Sequence, residues 1–180
     1  MDIAVLSDIH GNYAALEQCL EYAFSHNIRT FFFLGDYVGE LAYPERTMQL
    51  LYDLSKEYQC YFIKGNKEEY WLKYRAGGEI GWKDKNSASG ALLYTYNSLT
   101  GRDLEFFEQL QPVQKISLDR MPAIIICHGS PNSVNEKLLP DDINYIGSST
   151  KSEIEFARSL NKEIIYYTDL NLWRCGNHGR

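Results

Sequence analysis

Three short apolar runs alternate with two segments of helical period, and this alternation constrains the fold of the 180-residue chain more than any other feature. Residues 2–7 are too few for a helix and apolar enough for a buried strand. The same holds for Thr30-Phe31-Phe32-Phe33-Leu34 and for Tyr58-Gln59-Cys60-Tyr61-Phe62-Ile63. Between the first two runs, Leu16, Cys19, Leu20, Ala23 and Phe24 recur along one face of a helix. Between the second and third, Pro44 suits a first helical turn, and Met48, Leu51 and Leu54 supply an inner face. The order β-α-β-α-β predicts an α/β fold built on a parallel sheet with right-handed crossovers. Such sheets bind ligands past the carboxyl ends of their strands, so the residues after each run carry the functional expectation.

Further along, residues 67–76 and 86–99 read as helices, with Gly77-Gly78 and a surface loop over 77–90 between them. A short helix near 103–110 ends before Pro112. Lys115–Leu118 and Ala123–Cys127 read as two strands joined by a turn at Asp119-Arg120. A loop over 132–148, a helix from Ser149 or Thr150 to about 160, a strand over 163–167 and a tail complete the expectation. Length alone allows one domain with a sizeable core. The formal net charge is −6, and no basic stripe of the kind nucleic-acid binders need interrupts the pattern. An acidic chain can still take phosphate esters if metal ions supply positive charge locally. Cys19, Cys60, Cys127 and Cys175 are widely spaced and form no CxxC pair. They are expected to be buried free thiols in a reducing compartment. Without a basic, apolar leader or an apolar run of membrane-spanning length, the expected location is cytoplasmic.

The strand ends carry metal-ligating groups. Asp8 and His10 follow the first run, Asp36 the second, Asn66 the third, and His128 follows Ala123–Cys127. Residues two apart on a strand share a face, so Asp8 and His10 are expected to point the same way. Asp36 can bridge two ions, Asn66 offers an amide oxygen and His128 an imidazole nitrogen. Mixed oxygen and nitrogen ligation suits manganese, iron or zinc better than calcium. Two ions roughly 3.5–4 Å apart can clamp a phosphate and hold a hydroxide for in-line attack. Singly, each motif has a plainer reading: Asp-x-His, Gly-Asp and Gly-Asn all make turns, and His-Gly can be a satisfied loop histidine. Their order, with one set at each strand end, argues for a metal centre. Tyr70, Trp71, Tyr74 and Trp82 offer rings for a nucleobase, although core packing on an amphipathic helix is the commoner use. His26, at a helix end, has no functional role.

Asp8-Ile9-His10-Gly11-Asn12, Gly35-Asp36-Tyr37-Val38-Gly39, Gly65-Asn66-Lys67-Glu68 and His128-Gly129-Ser130-Pro131 resemble the successive signatures of the calcineurin-like metallophosphoesterases. The resemblance covers residues 2–131 and extends to the small bacterial group of YfcE-type phosphodiesterases and diadenosine tetraphosphate hydrolases. It implies a four-layer αββα sandwich. It also implies that Asp8 and His10 hold one metal, that Asp36 bridges, and that Asn66 and His128 hold the other. The implied reaction is hydrolysis of small phosphomonoesters or phosphodiesters, nucleotide-type esters included, by a hydroxide that two divalent ions activate. Mn²⁺ is the first expectation, with Fe, Zn or Ni as alternatives.

The sequence departs from the family in two places. Lys67 stands where many members carry a histidine near the leaving group; it can steady a phosphate or leaving oxygen, but it is a poor proton shuttle at neutrality. The later Gly-His-x-His signature is absent. Its nearest remnant is Cys175-Gly176-Asn177-His178, with His178 as a candidate ligand, or in a rival register Asp169 and Asn171. A third reading takes the tail from Thr168 as unrelated to the family. The expectation is a single domain over 1–180 that lacks the usual C-terminal strands. Its incomplete second sheet would leave an open edge inviting self-association. A binding or scaffold module that keeps the fold but has impaired catalysis is the alternative.

Overall fold

Strand β1 (Ile3–Leu6), helix α1 (Tyr13–Ser25), strand β2 (Thr30–Phe33), helix α2 (Pro44–Glu57) and strand β3 (Gln59–Phe62) follow in the expected order. The structure, a computed structural model, describes residues 2–78, 86–119 and 121–136. β2 lies between β1 and β3, and all three run parallel, with Ile3 opposite Thr30 and Thr30 opposite Gln59. Helices α3 (Asn66–Arg75), α4 (Ser87–Ser98) and α5 (Gly101–Gln109) come next. Strands β4 (Val113–Ile116) and β5 (Ile124–Cys127) form a separate antiparallel pair. The fold is α/β, as expected.

β2 shows why three consecutive phenylalanines fit one strand. Alternate side chains point to opposite faces, and both faces are covered. Phe31 and Phe33 pack with Leu16, Leu20, Met48, Leu51, Trp71, Leu104 and Phe107 in a core under the helices. Phe32 turns the other way, into a smaller cluster with Ile63, Ile116 and Ile126 beneath the second sheet. Helices, parallel sheet and second sheet thus stack in three layers of the expected sandwich. The expected incomplete edge, the helix from residue 149 and the strand over 163–167 lie outside the described residues.

Local chemistry fixes the helix starts. Asn12 caps α1 by accepting from Ala15 N at 3.1 Å. Pro44 opens α2 after Tyr43, which adopts a left-handed φ of 68°. Thr100 and Asp103 cap α5 reciprocally, and Asp103 also accepts from the Tyr52 hydroxyl at 2.6 Å.

Two expectations need correcting. Cys19 is exposed, and Cys60 and Cys127 are only partly buried. The buried stripe of α1 is Leu16, Leu20 and Ala23, and Cys19 falls beside it. The strand expected at 115–118 begins two residues earlier. Lys64 N bonds Gln111 O at 2.9 Å and Gln114 Nε2 bonds Phe62 O at 3.1 Å, so the chain is anchored directly after α5. Among the described residues no helix is long and apolar enough to cross a membrane.

Candidate metal centre

The loops after β1 and β2 zip together beyond the sheet. Asp8 N bonds Gly35 O at 3.2 Å, His10 N bonds Asp36 O at 2.9 Å and Gly11 N bonds Tyr37 O at 2.9 Å. Asp8, His10 and Asp36 each adopt a left-handed backbone, with φ of 55°, 52° and 55°. Their side chains therefore converge through paired turns and not through strand alternation, which corrects the expectation for Asp8 and His10. Two glycines permit the crowding around Asp36. A Cβ on Gly35 would stand 2.4 Å from Gly65 N, and one on Gly65 would stand 2.3 Å from Asp36 Oδ1.

One ligand atom from each of Asp8, His10 and Asp36 lies within 4.8 Å of the others. His10 Nε2 is 3.7 Å from Asp8 Oδ1 and 3.7 Å from Asp36 Oδ2. The other Asp36 oxygen, Oδ1, faces a second group: His128 Nε2 is 3.7 Å from it and 3.0 Å from Asn66 Oδ1. The structure thus brings together Asp8, His10, Asp36, Asn66 and His128. His178, Asp169 and Asn171 lie outside the described residues.

Donor chemistry fits divalent cations on both sides. His128 Nδ1 sits 2.7 Å from Leu34 O, which can only accept, so Nδ1 carries the proton and Nε2 presents its lone pair. That lone pair meets two further oxygen acceptors, an arrangement that a cation satisfies. Asp36 is 3% exposed. Burial raises its pKa above the ordinary carboxylate range, although the Lys67 N–H (2.9 Å from Oδ1), His128 and His10 pull it down. Such a carboxylate gains from a nearby positive ion. Asp8, more exposed, stands at the rim.

Three supporting residues escaped the sequence reading. Glu68 is fully buried and accepts from the N–H groups of Gly65 (2.8 Å), Asp36 (2.9 Å) and Tyr37 (3.0 Å). Burial pushes its pKa up to about 7, with Asp36 adding to the rise and the three N–H bonds opposing it. A glycine N-cap followed three residues later by Glu was a legible signal for the bond to Gly65; the bonds to Asp36 and Tyr37 were not. Gly39 lies against the His10 ring, where a Cβ would stand 2.3 Å from Nδ1. Glu40 Oε2 is 3.2 Å from the same nitrogen. Of the α3 aromatics, Trp71 is fully buried and belongs to the core, Tyr74 packs edge-on against Tyr96, and Tyr70 is exposed. Trp82 is outside the described residues.

This fold and cluster define a metallophosphoesterase-type centre. The profile of the calcineurin-like phosphoesterase family matches residues 1–173, and the chain belongs to that family, whose members work with divalent metals. The match runs past Thr168 and stops short of His178. MJ0912, an uncharacterized protein of Methanocaldococcus jannaschii, is 29% identical over 153 residues, which are 79% of this chain and 56% of that protein. The crystal structure of the hypothetical protein PH1004 from Pyrococcus horikoshii OT3 superposes with a TM-score of 0.63 and 24% identity, over 88% of this chain and 64% of that one. A metallophosphoesterase from Sphaerobacter thermophilus superposes with a TM-score of 0.53 and 26% identity, over 73% of this chain and 48% of that one. The chain therefore spans about half to two thirds of the length of these relatives.

Proposed function

We propose that the chain hydrolyses phosphomonoesters or phosphodiesters with two divalent ions, Mn²⁺ foremost. Asp8, His10 and Asp36 would hold one, and Asp36, Asn66 and His128 the other. The observation that carries this reading is the division of Asp36: each carboxylate oxygen faces a different histidine at 3.7 Å. Divalent ions held there would supply positive charge to an anionic phosphoester and to a nucleophilic water. The protein's own part is to fix the donors. The Lys67 N–H and the Gly35–Gly65 contact set the carboxylate of Asp36, and the Leu34 carbonyl sets the tautomer of His128. The net negative charge makes this centre the natural place for a phosphate ester.

The test is hydrolysis of an aryl phosphate and an aryl phosphodiester by metal-stripped protein given Mn²⁺, with Asp36→Ala alongside. Turnover that requires Mn²⁺ and falls to background in Asp36→Ala is expected, and the ratio of the two rates sets the ester class. A folded, Mn²⁺-loaded protein without turnover would sink the enzymatic reading in favour of a binding module.

A further inference from the structure

His10 is held from behind by a chain of two charged residues. Its Nε2 faces the carboxylates of Asp8 and Asp36, and with a cation held between them that nitrogen would give up its lone pair and the neutral ring would keep its proton on Nδ1. Nδ1 is buried, has no aligned hydrogen bond, and stands 3.2 Å from Glu40 Oε2. A buried N–H left without an acceptor is unfavourable, and Glu40 Oε2 is the acceptor within reach. Gly39 keeps the ring from backing away, because the ring lies where its Cβ would be.

Glu40 is 42% exposed on its side chain and would swing freely by itself. Its other oxygen, Oε1, is bonded to Lys67 Nζ. The Lys67 side chain is only 13% exposed, its ammonium lies 5.9 Å from the Tyr70 ring centre, and its backbone N–H donates to Asp36 Oδ1. Lys67 is thus anchored at both ends, and its charge is already engaged by a carboxylate.

We propose that Glu40 is a positioning residue that orients His10 for metal binding, and that Lys67 serves Glu40 and not the leaving group. The inference rests on the metal-centre reading above. A carboxylate behind a ligating histidine fixes the ring and raises its basicity, and removing such a partner lowers metal affinity about 10–100-fold.

The experiment is titration of Mn²⁺ into the full metal-stripped chain by calorimetry. Wild type, Glu40→Ala, Glu40→Gln, Lys67→Met and the double variant Glu40→Ala/Lys67→Met are compared, with circular dichroism confirming that each is folded. Glu40→Ala is expected to weaken one Mn²⁺ site about 10–100-fold. Glu40→Gln keeps an acceptor and should lose less. Lys67→Met should weaken the same site, and the double variant should be no worse than Glu40→Ala alone. Unchanged Mn²⁺ affinity in folded Glu40→Ala overturns the proposal. So does Lys67→Met that binds Mn²⁺ normally but slows turnover in proportion to leaving-group pKa. Failure of the underlying reading looks different: wild type itself would bind no Mn²⁺, and both proposals would fall.

Discussion

Three of the five non-glycine residues with positive φ among those described are Asp8, His10 and Asp36. A left-handed conformation costs an L-residue roughly 1–2 kcal/mol, less for Asp. Here the cross-loop bonds from Asp8 N, His10 N and Gly11 N hold it in place. Strain kept at a cluster of titratable groups is a mark of function. Gly39 tests how closely the cluster is fitted. Its own φ is unremarkable, so Gly39→Ala leaves the backbone unstrained and acts only by pushing a methyl into the His10 ring. Mn²⁺ affinity at the His10 side should drop at least 10-fold while the metal-free melting temperature stays within a few degrees; unchanged Mn²⁺ binding would refute the fit. The residues that converge here were legible in the sequence as candidates, because metal chemistry restricts residue type and each stood just past an apolar run. Gly39 and Glu40 were not, because their roles depend on how closely two loops approach.

At the scale of elements, α3 links both glycine turns through one side chain. Glu68 sits in the first turn of α3 and accepts three backbone N–H bonds from the turns after β2 and β3. Truncation to Ala would strand those donors in a buried site, each at about 1–3 kcal/mol. Glu68→Ala is therefore expected to destabilise the metal-free protein by at least 3 kcal/mol in urea unfolding; a loss under 1 kcal/mol would mean that water replaces the carboxylate. The parallel strands were readable as short apolar runs, and α1 and α2 from the helical spacing of their apolar residues. The error at β4 has a physical cause, since Ile116-Ser117-Leu118 carries the apolar signal while the pairing of Ile116 with Ile124 ends the strand. The misplacement of Cys19 arose likewise, from a stripe edge that periodicity alone does not resolve. It makes a measurable difference. Burial pushes the Cys60 thiol up to about 11, so at pH 8 only about one in a thousand Cys60 thiols is ionised. Alkylation followed by peptide mapping should modify Cys19 well before Cys60 or Cys127; equal rates would contradict this difference in exposure.

At the scale of the described unit, two sheets meet over a small core. Phe32, Ile63, Ile116 and Ile126 are its buried members, against sixteen buried residues on the helical side. Polar ties cross as well: Lys64 N to Gln111 O, Gln114 Nε2 to Phe62 O, and His128 Nδ1 to Leu34 O. The proposed metal centre adds a further tie, because Asp8, Asp36 and Asn66 follow the parallel strands while His128 follows β5. A ligand that binds only the folded arrangement stabilises it by mass action, and its effect is greatest where the arrangement is otherwise weakest. Chelation should therefore loosen the second sheet more than the first. In hydrogen exchange, amides of Val113–Ile116 and Ile124–Cys127 should lose protection in EDTA while those of Thr30–Phe33 change little, and Mn²⁺ should restore it. His128→Ala should show the loosened pattern even with Mn²⁺ present. A uniform loss across both sheets would mean that the centre supports the whole unit; no loss would mean that the apolar packing and these polar ties hold β4 and β5 without it, leaving His128 outside the metal's reach.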